Sequence, residues 1–268
     1  MENNLDKYKE YLLARGKSLN YRNIMRIWLK YLNEQKIEII TQETITQFFN
    51  NKNYSLKSRN QFISGARDYY SAYMQVPKEQ NEFFKIKLLK GEKKIPDFMP
   101  EEEIEEAKKY LITYYRKMTP QKIRTLIDFL FDTGVRKGEL LNLRRENFIL
   151  DENSAKVLGK GRKERFVVYS EKTKKELVDY FVSENEENNC FNLTLGKIHY
   201  IMKLLKKYMN KRIYCHLFRH SAGRDIIAKG GDLTLVATQF GHTSTKTTEI
   251  YTMPNYEGLR KNFKRVKG

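Results

Sequence analysis

Three of the four histidines, His216, His220 and His242, fall in the last fifth of the 268-residue chain, apart from His199. His216 and Arg219 stand three positions apart in His-Leu-Phe-Arg-His, so on a helix they share a face. A guanidinium and a neutral imidazole on one face make a phosphate-binding pair. By itself the pair reads equally well as a structural histidine beside a surface arginine. Gly-Lys-Gly-Arg-Lys-Glu-Arg at 159–165 is a second phosphate-friendly element. A P-loop would need a strand, Gly-x-x-x-x-Gly-Lys-Ser/Thr and then a helix, whereas here strand follows strand, so ATP binding is rejected. A lysine at such a hairpin tip can dip into a DNA groove, although an ordinary charged turn has the same composition. Gly134-Val135-Arg136-Lys137-Gly138-Glu139-Leu140 is the third element, readable either as a site or as a glycine stop before a new helix.

The elements that must carry these residues are mostly helical. Residues 1–76 read as a bundle of about four helices. Leu5, Tyr8 and Leu12 mark the first face. Ser18 is expected to cap a helix bearing Tyr21, Ile24, Trp28, Tyr31 and Leu32. Thr41 precedes Ile45, Phe48 and Phe49, and Ser55 precedes Phe62, Ile63, Tyr69, Tyr70 and Tyr73. Aromatics at this spacing belong in a core, leaving Lys17, Arg22, Arg26, Lys57, Arg59 and Arg67 for the polar faces. From 77 to 98 the amphipathic period is lost after Phe84, and the residues read as a basic linker. Pro100 and Glu101–Glu103 then suit the positive first turn of a helix. Helices are expected at 100–117, 120–132 and 136–143, with Gly134 as a stop. Strands 155–158 and 165–169 flank the glycine-containing turn, and helices follow at 171–183, 194–209, 217–229, 232–240, 244–252 and 256–265. The expected architecture is mostly α with a small β-sheet: a helical domain 1–76, the linker 77–98, and a second domain 99–268 ending in a tail helix.

Composition narrows the partners. Fifty-one basic against 33 acidic side chains give a net charge of +18, a field suited to a polyanion. Residues 1–95 carry +8 and residues 96–268 carry +10, so both parts are candidates to touch nucleic acid. A lysine-biased composition is the other reading of the charge. No apolar run approaches the roughly 20 residues of a membrane span, and the N-terminus lacks a signal-peptide layout, which points to a cytoplasmic protein. Cys190 and Cys215 form no framework and no zinc-ligand spacing, so each is expected to be a small apolar core residue.

Taken together, four ordered segments resemble the tyrosine recombinase/integrase family: Thr-Gly-Val-Arg-Lys-Gly-Glu-Leu-Leu-Asn-Leu, Gly-Lys-Gly-Arg-Lys-Glu-Arg, His-Leu-Phe-Arg-His-Ser, and Gly-His-Thr-Ser-Thr-Lys-Thr-Thr-Glu-Ile-Tyr. Arg136 lies 24 residues before Lys160, His216 three before Arg219, and His242 nine before Tyr251. The motifs cover about 97–265, and residues 1–76 are reached only through the expected helical core-binding domain. Tyr-Cys before His216, Phe240 before Gly-His, and Met253-Pro254 after the tyrosine segment depart from the usual pattern without removing a reactive group.

The resemblance implies a C-shaped DNA clamp made of the helical domain and a mixed α/β catalytic domain. It implies site-specific recombination through a 3′-phosphotyrosyl intermediate, without metal, ATP or other cofactor. Arg136 and Arg219 would hold the scissile phosphate and Tyr251 would attack it. His216 would accept the tyrosine proton, Lys160 would protonate the leaving oxygen, and His242 would hydrogen-bond the phosphate. Glu139 would hold Arg136 in place. Among 18 tyrosines, Tyr251 is singled out by its offset from His242 together with the preceding Thr-Thr. The expected partner is double-stranded DNA, engaged as a homo-tetramer on paired sites and as a monomer or dimer when free, with the tail 255–268 either donated to a neighbour or packed back on its own domain. No arm-binding domain is read ahead of the bundle, which suits a simple-site enzyme. A type IB topoisomerase-like nicking-closing enzyme and a catalytically silent DNA-binding protein are the alternatives.

Overall fold

The computed structural model describes residues 2–89, 91, 96–159, 164–184 and 189–241, and it divides into two units, Met1–Lys93 and Lys94–Gly268. The first is built from α1 (Glu2–Ala14), α2 (Asn20–Glu34), α3 (Gln42–Lys52), α4 (Leu56–Arg67) and the single-turn α5 (Glu82–Lys85). Thr41 and Ser55 cap α3 and α4, accepting the N–H groups of Thr44 at 3.2 Å and Ser58 at 3.3 Å. Ser18 does not cap α2. The capping position falls to Leu19, whose backbone is already helical, and Ser18 Oγ accepts the N–H of Asn20 instead.

Trp28 is the centre of this unit. It is fully buried, with Phe48, Phe83 and Phe62 edge-on at 5.0, 5.4 and 6.0 Å, and its indole N–H donates to Tyr70 Oη at 2.9 Å. The edge-to-face geometry sets ring hydrogens against neighbouring π faces. Phe83 lies inside the stretch expected to be linker, and that expectation needs correcting. From Lys78 to Leu89 the chain belongs to the first unit. Arg67 donates to the carbonyls of Phe83 at 2.9 Å and Ile86 at 2.6 Å, and the Asn60 amide exchanges two hydrogen bonds with the Leu89 backbone. One buried aromatic among charged neighbours carries no period, so the sequence pattern misses it.

The second unit contains α6 (Glu101–Tyr114), α7 (Pro120–Thr133), α8 (Lys137–Asn142), β1 (Phe148–Ile149), β2 (Ser154–Leu158), β3 (Glu164–Val168), α9 (Glu171–Ser183), α10 (Leu195–Tyr208), α11 (Cys215–Ala228) and α12 (Leu233–Phe240). The sheet is antiparallel in the order β1-β2-β3, and Leu158 pairs with Glu164 across the hairpin. Two-residue β1 is an addition, since so short a strand shows no alternation. Helix α7 is buried over most of its length, and Lys122, Asp128 and Asp132 on it are each paired. Lys108 on α6 meets Asp128 at 2.7 Å, both buried. Asp132 accepts the Ser170 N–H at 2.8 Å and the Thr173 hydroxyl at 2.7 Å, fixing where α9 starts. Gly134 ends α7 in the left-handed region at φ +56°. Among the described residues, no helix is long and apolar enough to cross a membrane. The tail helices expected at 244–252 and 256–265 lie outside the described residues.

Trp28→Ala should lower the stability of the first unit by about 3–5 kcal/mol through lost burial and the cavity left behind. Denaturant titration followed by far-UV circular dichroism checks this, because Trp28 is the chain's one tryptophan and cannot serve as its own probe.

Candidate phosphate-binding site

Arg136 stands at the N-cap of α8, two residues past the Gly134 stop, and its side chain is 40% exposed. Glu139 reaches back one turn. Its Oε2 accepts the Arg136 backbone N–H at 2.7 Å and its Oε1 accepts Arg136 Nη1 at 2.9 Å. Arg165 on β3 approaches the same carboxylate, with Nη1 to Oε1 at 2.6 Å and Nη2 to Oε2 at 2.9 Å. Glu139 is buried, and burial alone would raise its pKa. The hydrogen bonds and charges of Arg165 and Arg136 override that and bring it down to about 2.

Arg219 lies 1% exposed on α11. Its Nη1 donates to the Gly134 carbonyl and its Nη2 to the Phe240 carbonyl, both at 2.7 Å, while the guanidinium rests 4.1 Å from the centre of the Phe240 ring. One side chain thus joins the end of α7 to the end of α12. His216, one turn earlier on α11, is exposed and meets the buried His220 ring edge-on at 4.6 Å. Partial desolvation lowers its pKa, and the positive charges of Arg219 and then Arg136 lower it further. An imidazole so placed stays neutral at physiological pH and can accept a proton. Tyr214 at the N-cap of α11 supplies no side-chain hydrogen bond, so the positive end of the helix is left uncapped by it.

A groove of about 740 Å³ passes these groups. Arg136 and Lys137 form one wall, His199, Met202, Lys203 and Lys206 of α10 another, and Ile213 to His216 the third. Its lining combines the cations Arg136, Lys137, Lys203 and Lys206 with apolar Val135, Met202 and Ile213, a field suited to a polyanion.

Of the six residues singled out in the sequence, the structure brings Arg136, His216 and Arg219 together. Lys160, His242 and Tyr251 lie outside the described residues. Phe240, which departs from the usual leucine, forms the surface under Arg219. Arg165, Gln239 and the α10 lysines were not singled out. The alternation of β3 could have flagged Arg165, which shares a face with buried Val167 while Glu164, Phe166 and Val168 point outward. A charge on an inward face needs a partner.

An alanine Cβ at 134 would sit 2.5 Å from the Phe240 ring and 3.3 Å from Arg219 Cγ, on a backbone that L-residues seldom adopt. Gly134→Ala should therefore cost more than about 1 kcal/mol, measured as a drop in the thermal midpoint. Glu139 has a depressed folded pKa, so its ion pairs stabilise the fold above the ordinary carboxyl value and are lost only as pH falls towards about 2. Glu139→Gln should be destabilised at neutral pH, and the gap to wild type should close on strong acidification in urea titrations at stepped pH.

The description "Phage integrase family" matches residues 97–257. Tyrosine recombinase XerD of Staphylococcus haemolyticus is 27% identical, with 98% of each chain covered. Among solved structures, a XerH site-specific recombinase bound to its difH substrate before cleavage aligns at TM-score 0.68 and 22% identity, covering 96% of this chain and 82% of that one. A lambda integrase dimer bound to a COC′ core site aligns at TM-score 0.71 and 15% identity, covering 92% and 96%. At these identities the two structures speak to the fold.

Proposed function

The chain belongs to the phage integrase family and is a tyrosine recombinase acting in site-specific recombination, and we propose that Arg136, Lys160, His216, Arg219, His242 and Tyr251 carry its reaction on duplex DNA. The observation that carries this reading is the convergence of Arg136 and His216 on one cationic groove, with Arg219 pinned behind them between the ends of α7 and α12.

The Tyr251 oxygen forms a bond to phosphorus while the bond to the 5′ oxygen breaks, leaving a 3′-phosphotyrosyl link. His216 takes the phenolic proton, and Lys160 gives one to the departing 5′ oxygen. Arg136 and Arg219 neutralise the equatorial oxygens and His242 hydrogen-bonds them, which is the electrostatic help phosphoryl transfer requires. Attack by a 5′-hydroxyl of the partner strand reverses the step. The phosphodiester energy is kept in the covalent link, so no ATP is consumed.

Both units contact DNA in this reading, consistent with charges of +8 and +10 in the two parts of the sequence. The protein acts in the cytoplasm as a homo-tetramer on paired sites and is a monomer or dimer when free.

A nicked suicide substrate incubated without metal or ATP should trap a covalent protein–DNA band, and Tyr251→Phe should abolish it. A band that persists in the variant removes Tyr251 from the mechanism. Arg136→Lys should slow trapping by about 10²–10³-fold, because a point charge replaces a planar fork. With His216 as proton acceptor and its pKa held below the ordinary value of about 6.5, the trapping rate should stay flat through neutrality and fall on acidification below that value. His216→Gln should lose that acid limb.

A further inference from the structure

We propose that Arg165 is a positioning residue for DNA strand cleavage, its one guanidinium locking Glu139 against Arg136 and tying β3 to the end of α12. The proposal rests on the assignment of Arg136 and Tyr251 above. Arg165 is the second residue of β3, five positions beyond Lys160. Its two terminal nitrogens take both oxygens of Glu139, and its Nε donates to the Gln239 carbonyl at 3.2 Å. Gln239 strengthens the same junction, accepting the Val168 N–H at 3.0 Å and donating to the Val168 carbonyl at 2.7 Å.

Gly241 shows how closely the parts fit. It adopts φ +60°, and a Cβ there would lie 2.6 Å from Arg165 Cδ. The stem of Arg165 thus passes against the last described residue before His242.

The side chain of Arg165 is 13% exposed, and all three of its nitrogens serve internal acceptors. It is placed to aim other groups and not to hold a phosphate itself. Lysine cannot replace it, because an ammonium lacks the planar fork and the Nε donor. Three reacting elements meet at this residue: the hairpin flanking Lys160, the Glu139 support of Arg136, and the helix end from which the Tyr251 segment departs.

The test is single-turnover trapping on the suicide substrate at saturating protein, so that affinity drops out. It compares wild type, Arg165→Lys, Arg165→Met, Glu139→Gln and the Glu139→Gln/Arg165→Met double variant. Circular dichroism verifies folding, and gel shifts on an intact site report binding. Both Arg165 variants should bind DNA within about threefold of wild type and trap about a hundredfold more slowly, the loss expected from displacing catalytic groups by about 1 Å. In Arg165→Met the buried Glu139 keeps only Arg136 as a cation and its pKa rises, so trapping should fall on acidification at a higher pH than in wild type. That extra acid limb should vanish in the double variant, and the two single losses should not multiply. Wild-type trapping by Arg165→Lys, or losses that multiply in the double variant, would overturn the proposal. Failure of the wild-type chain itself to trap DNA overturns the parent assignment, and this proposal with it.

Discussion

Glu139 keeps a negative charge inside the second unit, where burial alone would favour the neutral acid. It does so because two guanidiniums and a backbone N–H surround its carboxylate, and the arrangement around the groove follows from this. Remove the charge and Arg136 loses the acceptor that fixes its rotamer, while Arg165 becomes a cation on an inward strand face with no counter-ion. Buried ion pairs of this kind add little net stability over apolar packing, yet they are costly to break on one side. Their value here is directional. A carboxylate held by Arg165 and by the Arg136 backbone N–H gives the Arg136 guanidinium a fixed acceptor beside the groove.

Arg219 solves a related problem by a different route. Its guanidinium is held by two backbone carbonyls at the ends of α7 and α12 and by the face of Phe240. Those carbonyls belong to helix C-termini, where peptide oxygens have no intrahelical donor, so a buried cation satisfies them and is satisfied in turn. The left-handed glycine at 134 is part of the same fit, since any side chain there would displace the Phe240 ring. Glycine, arginine and phenylalanine from three separate segments form one junction, and His216 rides on the helix that supplies its arginine. The positive field of that junction helps keep His216 neutral and able to take a proton.

The first unit is organised by aromatic packing around Trp28, with the polar faces of its helices turned to solvent. Its boundary depends on Phe83, which draws residues 78–89 into the unit.

Much of this was legible in the sequence because it is local. Helix starts at Thr41 and Ser55, the stop at Gly134, the antiparallel pairing of β2 with β3 and the His216–Arg219 spacing all arise from interactions close in sequence, where residue type dictates geometry. The ordered motifs are also the source of the proposed reactive set, of which Lys160, His242 and Tyr251 lie outside the described residues. Tertiary structure decided the partnerships between distant segments: Arg165 with Glu139 and Gln239, Arg219 with the carbonyls of Gly134 and Phe240, and Phe83 with Trp28. No periodicity encodes such pairs, since a buried charge or a lone aromatic finds its partner only when packing brings remote backbone within hydrogen-bond or van der Waals reach. The sequence by itself determined which chemistry this chain carries, and only the fold decided how its arginines are held to perform it.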